Sequence, residues 1–348
     1  MSRFARDKAS PWWGLAVRGL VLSVALAFLA RGVSWHDIAH TLGRAGVVLP
    51  LIMIVINACM MGLRALRLRI LLQKRVSFAS SFVTLLTSSA LNNITPFRGG
   101  QVARLWMIER ASGMTKSSAL AVTLVESLVE IVVLSLLGFG ASWFVVGQRW
   151  AVVAAPVAFI ATVAVLLVLR ARSRRAADSP APTPSTGTAR SGRLRRLLAR
   201  LQPGFHALSV PGATARALVL SLLAWLCEAA MLLLCGKCIG LPISFPLAIL
   251  VILGLNLALT LPSTPASAGP FEGATVAVLM LAGAAKGPAV ALAFFYHAIQ
   301  VVPVTVAGAA VLLLARRRQR RLTGHSELGT ETPSTNDRQP MARSPAVL

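Results

Sequence analysis

Apolar runs long enough to cross a bilayer recur along the chain, and polar positions are concentrated in the gaps between them. The runs lie near 14–30, 47–72, 117–146, 151–170, 213–240 and 287–315. Two further apolar segments, 78–95 and 244–262, each stop at a helix-breaking island. The first island is Asn92-Asn93-Ile94-Thr95-Pro96-Phe97-Arg98-Gly99-Gly100-Gln101, and the second is LPSTPASAGPFE, residues 261–272. Pro96 has no amide donor and biases Thr95 away from helix, so the helix over 78–95 is predicted to end there. The pattern predicts an all-α, polytopic membrane protein with about six full spans. Two broken or re-entrant hairpins, at 78–112 and 244–284, bring the expected total to eight or more membrane helices.

Composition agrees with this pattern. Of 348 residues, 56% are apolar and only 13% are charged, more apolar surface than a soluble core buries. The net charge of +24 raises nucleic acid as a partner, but its distribution argues against one. Nine arginines fall between Arg170 and Arg200, seven between Arg316 and Arg343, and five basic residues between Arg64 and Arg75. These clusters flank apolar spans, where the positive-inside rule and anionic headgroups account for them. No basic-aromatic module for nucleic acid accompanies them. The resulting topology leaves only Arg31, Arg44, Arg149, Lys237 and Lys286 outside and places both termini in the cytoplasm, as expected for a bacterial-type inner-membrane protein.

The chain then divides into a cytoplasmic N-terminus (1–13), a first membrane half (14–170), a basic cytoplasmic linker (171–212), a second membrane half (213–315) and a basic, disordered cytoplasmic tail (316–348). The first apolar run follows Arg3, Arg6 and Lys8 and resembles a signal peptide; with so many spans behind it, it reads as a retained span. Four cysteines sit in or beside apolar spans, so no disulfide framework is indicated, and Cys235-Gly-Lys-Cys238 lacks a redox or zinc context.

Shifting the chain by 170 residues pairs Gly99 with Gly269, Gly113 with Gly283, Lys116 with Lys286 and Ala119 with Ala289. The order of events also repeats: apolar helix, Pro/Gly break, shorter return helix, long span. With the first hairpin opening inward and the second outward, this predicts an inverted repeat whose broken ends meet near the midplane.

Four acidic residues lie within or beside apolar spans: Glu126, Glu130, Glu228 and Glu272. Such groups at membrane depth are costly unless they face a cavity or a partner. Glu126 and Glu130 are four apart and share a helix face, where two carboxylates repel and leave room for a proton or a cation. Arg98 and Arg104 are the candidate partners, since arginine's fork also suits a phosphate headgroup. Amides at the start of the return helix, after Gly99 and Gly100, would add anion affinity. The first island therefore contributes Asn92, Asn93, Pro96, Arg98, Gly99, Gln101 and Arg104 to a candidate substrate-binding and translocation site. The second contributes Pro265, Gly269 and Glu272, with His297 from the last span. The competing reading is that these charges make internal salt bridges, and His297 and Gln300 helix-to-helix hydrogen bonds. No HExxH, GxSxG, P-loop or metal spacing stands in its required context, so no catalytic residue, metal or cofactor is expected.

The stretch TPFRGGQVARLWMIERASGMTKSSALAVTLVESLVE resembles the first signature of the lysylphosphatidylglycerol synthase transmembrane-region, or flippase-like, family. LPSTPASAGPFEGATVAVLMLAG with FYHAIQVVP resembles the second, and the resemblance covers roughly residues 10–318. It implies a multi-pass protein of the cytoplasmic membrane that moves lipids, including aminoacylated phospholipids and lipid-linked sugars. The soluble aminoacyl transferase domain of bifunctional members is expected to be absent. This chain departs from the signatures in carrying Gln101 for the usual glutamate, Ser127 for the usual arginine, Glu130 for a frequent aspartate, and Pro265-Ala266 for Pro-Gly. The expectation is a non-enzymatic flippase for an anionic phospholipid or lipid-linked glycan. The alternatives are a lipid-modifying transferase using Glu126 or Glu130 as general base, or an accessory scaffold for a lipid or glycan synthesis enzyme.

Overall fold

The computed structural model of the chain describes residues 46–95, 99–144, 212–260 and 265–328, with single helical positions between 157 and 171. The expected span at 14–30, most of that at 151–170, the linker and the tail beyond 328 lie outside the described residues, as do Pro96 and Arg98. Where helices begin, the sequence supplies side-chain caps. Ser77 accepts from the amide of Ser80 (3.1 Å), Thr115 from that of Ser118 (3.3 Å), and Ser244 from that of Leu247 (3.4 Å). The helices are α1 (Val48–Leu71), α2 (Phe78–Ile94), α3 (Gly99–Ser112), α4 (Lys116–Ser142), α5 (Ala213–Ile239), α6 (Phe245–Ala258), α7 (Pro270–Leu281) and α8 (Lys286–Leu328). A short 3-10 turn, Pro265–Ser267, lies between α6 and α7. The described residues include no strand.

Among the described residues, four helices are long and apolar enough to cross a membrane: α1, α4, α5 and Lys286–Ala315 of α8. The two segments that stop at the islands are shorter. α2 has 17 residues and α6 has 14, so at 1.5 Å per residue both fall short of a hydrocarbon core about 30 Å thick. Residues Met1–Ala309 form one unit, and Ala310–Leu348 form a second in which α8 stays helical through the arginine run to Leu328. The change of composition at Arg316 therefore does not end the helix.

Within the first unit, α1 and α5 make the most extensive pairing. Met53 meets Cys235 at 3.4 Å, Arg64 meets Glu228 at 3.0 Å, and Arg67 meets Ser221 at 2.7 Å. Numbers rise on one helix as they fall on the other, so the pair is antiparallel. α2 packs on α1 and α3, and α6 packs on α4 and α7. α6 is buried nearly all round from Ala248 to Leu253, as a helix that is apolar on every face should be.

α8 shows how a break in helix bonding is repaired at membrane depth. Pro303 has no N–H to donate to the carbonyl of Ile299 four residues back. The side-chain amide of Asn57, 2% exposed on α1, donates to that carbonyl at 3.0 Å and lies 3.3 Å from the next. Close by, Gly308 lets α8 approach α2; a Cβ there would fall 2.5 Å from the Ala90 Cβ and 2.7 Å from the Leu86 carbonyl.

Candidate functional site

The densest polar construction in the described residues is centred on Arg67, which is 2% exposed. One terminal nitrogen, Nη2, donates to Glu126 Oε1 at 2.7 Å and to Glu130 Oε1 at 2.6 Å. The other, Nη1, donates to Ser221 Oγ at 2.7 Å. The i, i+4 spacing of Glu126 and Glu130 presents both carboxylates to one guanidinium. Arg104, from α3, pairs with the remaining Glu126 oxygen, Oε2. The cluster joins α1, α3, α4 and α5 and holds two charges of each sign. Charged side chains within membrane helices are costly unless paired, and here each of the four has a partner of opposite sign.

One turn from Arg67 on α1, Arg64 pairs with Glu228 and lies 5.6 Å over the Trp225 ring. Tyr296 and Gln300 on α8 donate to the other Glu228 oxygen at 3.3 and 3.2 Å. A third group sits at the second break. Glu272 Oε2 accepts from the Gly269 amide at 2.7 Å, capping α7, while Oε1 lies 2.6 Å from His297 Nδ1. His297 Nε2 faces the Ala266 carbonyl at 3.0 Å, and the ring stacks on Phe271 at 4.2 Å. Both ring nitrogens thus have oxygen partners, one on Glu272 and one on the Ala266 backbone.

The two breaks come together. The turn Pro265–Ser267 packs against α2, and α8 touches both islands: His297 meets Ala266, and Thr305 accepts from Asn93 Nδ2 at 2.8 Å. Those two contacts are eight residues apart on α8, about 12 Å along its axis.

Arg104, Glu126 and Glu130 therefore join one cluster, and Gly269, Glu272 and His297 join another, with Pro265 opening the turn beside them. The principal partner of the two carboxylates differs from expectation: it is Arg67, with Arg104 on Glu126 alone. Of the amides after Gly99, that of Gln101 is taken within the hairpin, donating to Asn92 Oδ1 at 3.1 Å. Gly100 is buried against α2, and a Cβ on Gly99 would fall 2.7 Å from Thr95 Oγ1. The side chain of Gln101 is exposed, away from the buried charges. In the sequence, Arg64 and Arg67 read as positive-inside residues. A signal was available: at 100° per residue, Asn57, Arg64 and Arg67 fall within a sector of about 80°, with Arg69 on the opposite side.

A family model described as lysylphosphatidylglycerol synthase TM region matches residues 15–308. The chain belongs to this family. No curated protein and no solved structure matches it. As a member of the lysylphosphatidylglycerol synthase TM region family with four span-length apolar helices, it is a multi-pass membrane protein tied to lipid handling. The two departures at Gln101 and Ser127 are both exposed and together remove one charge of each sign, so the buried cluster stays balanced without them. The departure at Pro265-Ala266 has a conformational consequence. Ala266, where the family signature usually has glycine, sits at φ 55° and ψ 8°, a left-handed geometry that penalises a Cβ. Ala266→Gly is expected to stabilise the purified protein by roughly 1 kcal/mol, read as a rise in melting temperature; a fall would show that the methyl group packs productively.

Proposed function

We propose that this protein is a non-enzymatic, flippase-like lipid transporter that carries the headgroup of an anionic phospholipid or lipid-linked glycan past the two broken hairpins. The observation that carries this reading is the Arg67 cluster. A buried ion pair or triad can often be replaced by apolar residues with no loss of stability, and sometimes with a gain of about 1–4 kcal/mol. A four-charge cluster spanning four helices is thus poorly explained as a stabilising device. Arg64, Arg67 and Arg104, like Arg69 on the opposite side of α1, each also keep a buried Nε–H with no acceptor among the described residues. Surplus guanidinium donors in a charge-balanced site suit a phosphate oxygen. Both oxygens of Glu126 are held by arginines, which favours transport over a transferase using that carboxylate as a base.

In this reading the α2–α3 and α6–α7 hairpins are re-entrant halves of an inverted repeat, and both termini face the cytoplasm of a bacterial-type inner membrane. An enzyme of lipid or glycan synthesis would supply the substrate. Purified protein in vesicles containing labelled anionic, aminoacylated or polyprenyl-linked lipids tests it. Faster loss of label protection for one class than in protein-free vesicles is the expected result. Equal rates for all three classes would overturn the proposal.

A further inference from the structure

The connection from α5 to α6 is short and turns back on α5. Gly240 follows the last residue of α5 at φ 72°, a left-handed position that glycine takes without strain. The Leu241 amide then donates to the Gly236 carbonyl at 2.9 Å, and a Cβ on Gly236 would fall 2.8 Å from the Leu241 carbonyl oxygen. The elbow is thus fixed by backbone contacts. Beside it lies a groove of about 1050 Å³, just above the roughly 300–1,000 Å³ of ordinary small-molecule sites. Its walls are apolar: Leu233 and Leu234 from α5, Ile243 from the connection, and Phe245 and Leu247 from α6. Phe245 is 44% exposed and the other four are half-buried, so each keeps surface for a hydrocarbon occupant to cover.

One cation stands on this groove. Lys237, exposed in the last turn of α5, is the only charged residue between Glu228 and Glu272 in the sequence. The ion pairs among the described residues engage Arg64, Arg67, Arg104, Lys116 and His297, not Lys237. A helix C-terminus attracts a cation by itself, but the carbonyls of Gly236 and Lys237 already accept from the Leu241 and Gly240 amides.

We propose that the groove holds one anionic phospholipid of the bilayer, with its acyl chains on the apolar walls and its phosphate on Lys237. A lysine at the end of a span keeps its methylene stem on apolar surface and extends its ammonium into the headgroup layer. Ser244, also on the groove, accepts from the Leu247 amide through its oxygen and has its own O–H to donate to the same headgroup. Sixteen residues of α5, about 24 Å, separate Lys237 from Ser221, the partner of Arg67. The groove is therefore a second lipid site, near the opposite end of α5 from the Arg67 cluster, and it is occupied whether or not a lipid is being moved.

Full-length protein, delipidated in detergent and incubated with phosphatidylglycerol or phosphatidylcholine bearing the same photoactivatable acyl chain, tests the site by mass mapping of the cross-linked peptides. Phosphatidylglycerol is expected to label the segment 230–247 about fivefold more than phosphatidylcholine, the preference one lysine gives for an anionic lipid. Lys237→Arg should keep that preference, and Lys237→Ala should bring phosphatidylglycerol down to the phosphatidylcholine level. Leu234→Trp, which fills the groove, should lower labelling by both. Equal labelling by the two lipids in the wild type overturns the headgroup assignment and leaves only non-selective boundary lipid. A preference that survives Lys237→Ala overturns the role of Lys237, and labelling confined to peptides outside 230–247 overturns the site. Binding is read here without translocation, so a protein that moves no lipid can still show the site and a transporter can still lack it.

Discussion

Replacing Arg67 with alanine is expected to cost about 3–5 kcal/mol of stability and to abolish any lipid translocation. The substitution leaves Glu126 and Glu130 facing each other, one of them 4% exposed at its side chain, with Arg104 as the sole remaining cation of the cluster. It also strips Ser221 of its donor. Removing one member of a buried set is far more damaging than removing the set, because an unpaired charge stays behind. The fourfold replacement Arg67→Met, Arg104→Met, Glu126→Gln and Glu130→Gln should therefore melt close to the wild type while carrying no lipid. Melting of detergent-purified protein and translocation in vesicles separate the two effects. An Arg67→Ala protein that melts with the wild type would show that the cluster is hydrated and only weakly coupled. A fourfold variant that still transports would remove the cluster from the mechanism.

The helices were legible because their causes are local. Ser77, Thr115 and Ser244 cap where the polar gaps end, and Pro96 and the glycine-rich islands mark where α2 and α6 give way. The cluster was half legible. Glu126 and Glu130 stand out as carboxylates four apart in an apolar run, and Arg104 lies nearby in the chain, whereas Arg67 reaches Glu126 across 59 residues and Ser221 reaches Arg67 across 154. Nothing local distinguishes Arg67 from the arginines that follow it, because positive-inside signals and a buried partner use the same residue type. Only its position in the Asn57–Arg64 sector separates it from Arg69. The pairing of Asn57 with the carbonyl freed by Pro303 is likewise a long-range match between two locally unremarkable features, 242 residues apart. Folding decides it, since an orphaned carbonyl in an apolar medium has no water to turn to.

Gly100 of the first island is a site of close backbone contact between α2 and α3. Gly100→Ala is expected to destabilise the protein by about 3 kcal/mol or more, at or beyond the upper end of ordinary overpacking. A Cβ at this position would fall 1.9 Å from the Ser88 carbonyl oxygen and 2.7 Å from both the amide nitrogen and Oδ1 of Asn92. Two of these three are backbone atoms of α2, so relief requires the α2–α3 hairpin to open rather than a side chain to turn. Opening it withdraws Arg104 from Glu126, and the loss of the hairpin becomes a loss of charge pairing in the cluster. Gly140→Ala, in the last turn of α4 with no atom within 4 Å of its added Cβ, should instead gain up to about 0.5 kcal/mol from helix propensity alone. Paired melting curves of the two variants against the wild type decide the matter. Shifts of opposite sign support close backbone contact at Gly100; a shared small shift would mean that α3 does not rest on α2 as described.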